Sequence, residues 1–263
     1  MIARGIALAL LLAAAPASAL LLAAAPASAQ RAAEAFDAGR FAEAAAAGRA
    51  EGTTDALILA GRAAATQAAW QTPDKANARA LLLQAEADFA AVLKREPANL
   101  DALLQQGIAV GYRAKLENSP GLARQARRMF EAVLVKRPGD ALALGAMGGW
   151  HGEAVATLGK FIAGTALGAK EAQSLRFFEK AIAAPGADPA VPIFYASTLL
   201  ALSDRNAPKA RVLLARALKA KPSDGFEALV QRNARAILAA LDKGDVAAAR
   251  ATAKRLSPLG TAV

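Results

Sequence analysis

Along most of the chain, apolar residues recur at three- and four-residue steps and not at alternate positions, a pattern that predicts α-helices and not half-buried strands. From Gln30 onward, stretches of alanine, leucine and charged residues are interrupted by short turns of Pro, Gly, Asn or Asp. About twelve helices fit between those turns. The first 29 residues depart from this pattern: Arg4 is followed by an uncharged apolar run with small-residue A-x-A sites ending at Ala19 and Ala29. The run is a tandem duplication, LLLAAAPASA from Leu10 to Ala19 and again from Leu20 to Ala29. Residues 1–29 therefore read as a secretory signal peptide, with cleavage expected after Ala29, because a cut after Ala19 would leave an apolar N-terminus at Leu20. A retained anchor is the alternative, since Ile6 to Ala29 has transmembrane length, but Pro16 and Pro26 weigh against it. Export to the periplasm is expected, leaving one domain over residues 30–263.

Within that domain three nine-residue blocks repeat: FAAVLKREP from Phe89 to Pro97, FEAVLVKRP from Phe130 to Pro138 and LARALKAKP from Leu214 to Pro222. Each reads as the end of a helix closed by a proline stop. An alanine stands four residues before each block, at Ala85, Ala126 and Ala210. After the prolines come Leu103, Gln106, Gly107 and Val110 in one case, and Leu144, Met147, Gly148 and His151 in another. Gly39-Arg-Phe41-Ala-Glu-Ala44 and Gly244-Asp-Val246-Ala-Ala-Ala249 match the turn and second-helix start of the same unit, and Leu57 with Gly61 matches its first helix. A degenerate fourth block surrounds Phe177, Phe178, Ala181 and Pro185.

These positions resemble the tetratricopeptide pattern W-x2-L-G-x2-Y, A-x3-F, P. The resemblance implies an all-α, right-handed superhelical solenoid of antiparallel helix pairs, about six of them over residues 30–263. Spacings of 41, 47 and 37 residues between Pro97, Pro138, Pro185 and Pro222 exceed the family's repeat of about 34, so the array is expected to be irregular.

One segment stands apart. Gly145 to Gly168 reads GAMGGWHGEAVATLGKFIAGTALG, with seven glycines, Trp150 and the sole histidine, His151. It reads as a Gly-rich insertion. With the following GAKEAQSLRFFEKAIAAP it is similar to a stretch of the regulator-of-microtubule-dynamics family, a tetratricopeptide group. On architecture and export alone the chain also resembles the tetratricopeptide subunits associated with TRAP-type transporters. His151 falls where the repeat has its tyrosine, which favours packing over a ligand or base role. Gly149, Trp150 and Glu153 contact a partner if their side lines the inner groove; otherwise Trp150 packs on the inserted loop.

Composition narrows the chemistry. Alanine makes up about three in ten residues and aromatics 5%, which disfavours a β-sandwich or barrel. Absence of cysteine removes disulfides, thiolate metal sites and a cysteine nucleophile, and one histidine leaves few ligands for zinc. No G-x4-G-K-[ST], G-x-G-x-x-G, H-E-x-x-H, G-x-S-x-G or S-x-x-K motif occurs. The expectation is a protein with no catalytic residues, metal or cofactor.

The net charge is +10, and loss of Arg4 with the leader makes it +9. Basic residues gather in two second helices, which the resemblance places on the convex side: Arg124, Arg127, Arg128, Lys136 and Arg137 in one, and Arg205, Lys209, Arg211, Arg216, Lys219 and Lys221 in the other. They read as solvated helix faces, or as surfaces attracted to an acidic protein or anionic lipid. Nucleic acid is not expected, because the clusters lack interleaved aromatics. The leading expectation is an exported, non-enzymatic scaffold that binds a protein or peptide in its concave groove through Asp101, Leu104, Ile108 and Glu153. The alternative is a transporter-associated periplasmic subunit that encloses a small solute in a closed apolar pocket near residues 145–168.

Overall fold

In the computed structural model, residues 24–186 and 188–262 are described, with side chains from Gln30 onward. The duplicated leader thus lies outside the described residues, except that the backbone of 24–29 forms the start of the first helix. The described chain is all-α, with twelve α-helices and no strand. In order they are α1 (Ala24–Asp37), α2 (Phe41–Glu51), α3 (Thr54–Trp70), α4 (Lys75–Arg95), α5 (Leu100–Glu117), α6 (Pro120–Lys136) and α7 (Ala141–Ile162). After a π-helical turn at Ala163–Leu167 follow α8 (Glu171–Ala183), α9 (Ala190–Leu202), α10 (Ala207–Ala217), α11 (Gly225–Asp242) and α12 (Val246–Leu256). Each helix packs on the next in sequence. None of the described helices is long and apolar enough to cross a membrane.

Helix boundaries follow a local rule that the repeated blocks carry. Two residues after each of Pro97, Pro138 and Pro222 comes Asn99, Asp140 or Asp224. Each of these side chains accepts from a backbone N–H three residues on, at Ala102 (2.9 Å), Ala143 (2.9 Å) and Glu227 (2.8 Å). Pro97 and Pro138 follow the ends of α4 and α6 by two residues, whereas α10 ends at Ala217, well before Pro222; in all three cases the cap starts the next helix, each cap contributing about 1 kcal/mol.

Packing within pairs is equally regular. Gly61 on α3, Gly107 on α5 and Gly148 on α7 face Phe89 on α4, Phe130 on α6 and Phe178 on α8. A Cβ at those glycines would come within 2.5, 2.8 and 2.7 Å of the three rings. Ala85, Ala126 and Ala210 have no exposed surface. Small residues on one helix therefore admit a large ring from the other, and burying each ring stabilises the pair by about 2 to 3 kcal/mol.

Glycine density in residues 145–168 has the same cause. A Cβ at Gly145 would lie 3.3 Å from Val191, and one at Gly152 would lie 2.3 Å from Thr198, both on α9. Since Gly148 meets Phe178, α7 crosses two helices at close range, and Ser174 on α8 donates to the Gly148 carbonyl at 2.7 Å. Most of the expected insertion is thus the body of α7; the irregular part begins at Gly159, with φ +77°, and runs through the π-helical turn to Gly168.

The close of α1 meets the start of α11. Gly225, the first residue of α11, lies against the backbone that closes α1: a Cβ there would be 2.0 Å from the Phe36 carbonyl oxygen. Arg62 on α3 pairs with Asp224 at 3.4 Å. Nearby, Asp188 is pushed above the usual carboxylate range by burial, even though the Ala190 N–H donates to it at 2.7 Å.

Candidate functional site

Trp70, the last residue of α3, sits where four helices converge. Its ring lies edge-on to Tyr112 of α5 (5.8 Å) and Phe226 of α11 (5.4 Å), and 6.3 Å from Phe194 of α9. Burial raises the Tyr112 phenol above its ordinary range, so it is neutral at any physiological pH. Beneath these rings a cavity of about 30 Å³ is bounded by Ile193, Val230, Ile237 and Pro258, among others. That is room for about one water, not for an organic solute.

The segment after α12 covers this junction. The Trp70 indole N–H donates to the Leu256 carbonyl at 3.1 Å, and the Leu259 N–H donates to the Ala69 carbonyl at 2.7 Å. Leu259 is buried against the alanine-rich face of α3, in a left-handed conformation with φ +60°. Lys115 on α5 reaches Ser257 Oγ at 3.5 Å and pairs with Glu153 on α7 at 2.9 Å. Residues 257–262 are thus a short turn held by one main-chain hydrogen bond, one apolar anchor and a polar flank.

The sequence-predicted groove residues do not converge on this face. Leu104 is 3% exposed, packed with Val110, Phe130 and Met147, so it belongs to the core and not to a groove. Ile108 leans on the same cluster. Asp101 is exposed at the start of α5 and pairs with Arg137 at 2.6 Å. Gly149 lies near the Phe178 ring. Glu153 alone borders the 257–262 segment, through Lys115. Helical spacing places Leu104 and Ile108 on one stripe, but that stripe faces α6 and α7. Trp70, Tyr112 and the segment after α12 were not read from sequence. Their signal is slight: a tryptophan three residues before the Pro73 helix stop.

Trp150 packs. Its indole N–H donates to the Ala123 carbonyl at 2.8 Å, and its ring lies under the Arg127 guanidinium at 5.3 Å and beside residues Val155, Ala163 and Leu167. Arg127 is half-buried, bound to Glu131 (2.7 Å) and to the Leu167 carbonyl (3.2 Å), so it staples the π-helical turn and is not part of an open basic surface. Lys209 pairs with Glu179, and Arg211 with Asp242. Burial pushes Glu179 up, but the hydrogen bonds from Lys209 and Tyr195 outweigh it and hold the carboxyl below its ordinary range. Arg128, Arg205, Arg216 and Lys219 are exposed.

His151 is buried, stacked on Phe177 at 5.7 Å, and its Nδ1 accepts from the Lys170 N–H at 3.2 Å. It therefore ties α7 to the start of α8 across the irregular segment. Burial, with the Arg127 charge, pushes its pKa down to about 4 from 6.5. The folded state thus binds the proton less readily than the unfolded chain, so this contribution is complete above about pH 6.5 and is lost as pH falls toward 4. Stability is expected to drop by about 3 kcal/mol over that window, and His151→Gln should flatten it; urea titrations at pH 7, 5.5 and 4.5 check both. Equal pH slopes in the two proteins would contradict this role.

No protein-family model matches the chain, and no curated protein matches it.

Proposed function

We propose that the protein is an exported, non-enzymatic helical-repeat scaffold of tetratricopeptide type that binds a peptide segment on the face formed by α3, α5 and α7. The Gly61–Phe89, Gly107–Phe130 and Gly148–Phe178 contacts support the repeat reading, because they recur at matching positions of successive helix pairs. The leader-like residues 1–29 support export. The observation that carries the binding function is the seating of residues 257–262: the Leu259 N–H on the Ala69 carbonyl, a buried Leu259 side chain and the Lys115–Glu153 flank, next to the Trp70 indole bond to the Leu256 carbonyl at the end of α12. A face that holds one turn-forming segment in this way is suited to hold another of similar chemistry, with residues 257–262 of the chain as competitor.

A chain ending at Leu256 is expected to bind a labelled peptide of sequence SPLGTAV in fluorescence anisotropy, while the full chain does not. Lys115→Glu should weaken binding, and Leu259→Ala in the full chain should let the labelled peptide in. A folded truncated chain that ignores the peptide would overturn the reading.

A further inference from the structure

Six large hydrophobic residues are exposed among the described residues, and three of them, Leu158 (39%), Phe161 (81%) and Ile162 (53%), lie within five positions. Gly159, in the left-handed region with open space around it, breaks α7 and turns this stretch outward into a hook. Val155, Ala163, Leu167 and Ala169 anchor the hook from below, so its outer side chains are presented on a fixed base.

Cations gather around the hook. Arg124 donates to the Ala166 carbonyl at 3.3 Å and Arg127 to Leu167, Arg128 is exposed one turn along α6 from Arg124, and Lys160 and Lys170 lie in the hook and just after it. Two carboxylates oppose them, Glu171 on Lys160 at 2.8 Å and Glu131 on Arg127 at 2.7 Å. With the half-buried Arg127–Glu131 pair set aside, Arg124, Arg128, Lys160 and Lys170 are exposed against Glu171 and leave a net positive rim around an apolar tip.

We infer that this hook docks on an anionic lipid bilayer, with Phe161 and Ile162 entering the interface and Arg124, Arg128 and Lys160 meeting the head groups. Apolar side chains that stand out beside cations fit a surface that is apolar within and negative outside. A second copy of the chain fits less well, because it would set the same cations against one another. The inference is independent of peptide binding at α3, α5 and α7.

The cysteine-free sequence allows a direct test on the full chain. An environment-sensitive dye is attached at Phe161→Cys, or at Lys219→Cys as a control in the turn after α10. With vesicles of 70% phosphatidylcholine and 30% phosphatidylglycerol, the dye at position 161 should brighten and shift to the blue, and the dye at 219 should not. Pure phosphatidylcholine vesicles should give no such change. Replacing Arg124, Arg128 and Lys160 together by glutamine should raise the lipid concentration for half-response at least about tenfold. An unresponsive dye at 161, equal responses at 161 and 219, or a shift that follows protein concentration without vesicles would overturn the inference, the last by assigning the hook to self-association.

Discussion

Replacing Gly225 by alanine is expected to destabilise the protein by about 3 kcal/mol, a fall of roughly 10 °C in Tm for a domain of this size. The new Cβ would lie 2.0 Å from the Phe36 carbonyl oxygen, 2.8 Å from the Gly39 nitrogen and 3.0 Å from the Asp37 carbonyl oxygen. All three are backbone atoms at the end of α1, so no side-chain rotation relieves the clash, and α11 must move away. That movement also strains the Arg62–Asp224 pair and the Phe226 contact with Trp70. Gly139→Ala is the control, since nothing lies within 4 Å of a Cβ there, and its effect should stay within about 0.5 kcal/mol. Urea unfolding of both variants checks the pair, and equal midpoints would mean that α11 does not rest on the end of α1.

Trp70→Ala should cost more, about 4 kcal/mol. The indole touches rings from three other helices, and its N–H satisfies the Leu256 carbonyl. Its removal opens a cavity beside space that already holds about 30 Å³, and it frees the segment after α12. Beyond lost stability, the variant should show faster proteolysis after Leu256. Trp70→Phe keeps most of the packing and loses the hydrogen bond, so it should recover more than half of the stability. A Trp70→Ala protein as stable as the parent would show that the junction carries little of the fold.

The regular part of this architecture is legible in sequence because it depends on residues near one another. The blocks at Phe89 to Pro97 and Phe130 to Pro138 end α4 and α6, and the glycines at 107 and 148 meet the aromatic residues of the following helix. Periodicity and turn chemistry report such neighbours directly. What escaped is what depends on distant residues. Leu104 has the spacing of a groove residue, yet which side of α5 is free is decided by where α6 and α7 settle. Trp70 and Leu259 are separated by most of the chain, and no local pattern announces that Ala69 will accept from the Leu259 amide. Phe161 and Ile162 look like core positions by type; the left-handed turn at Gly159 puts them outside.

The face of α3, α5 and α7 is proposed as a peptide seat occupied by the chain's own residues 257–262. The most direct measurement is the exchange rate of the Leu259 amide proton with solvent deuterium. Docked as described, with its N–H on the Ala69 carbonyl at 2.7 Å, it should exchange at least about a hundredfold more slowly than in a free SPLGTAV peptide, and Trp70→Ala should abolish that protection. Exchange at the free-peptide rate in the parent protein would contradict the claim.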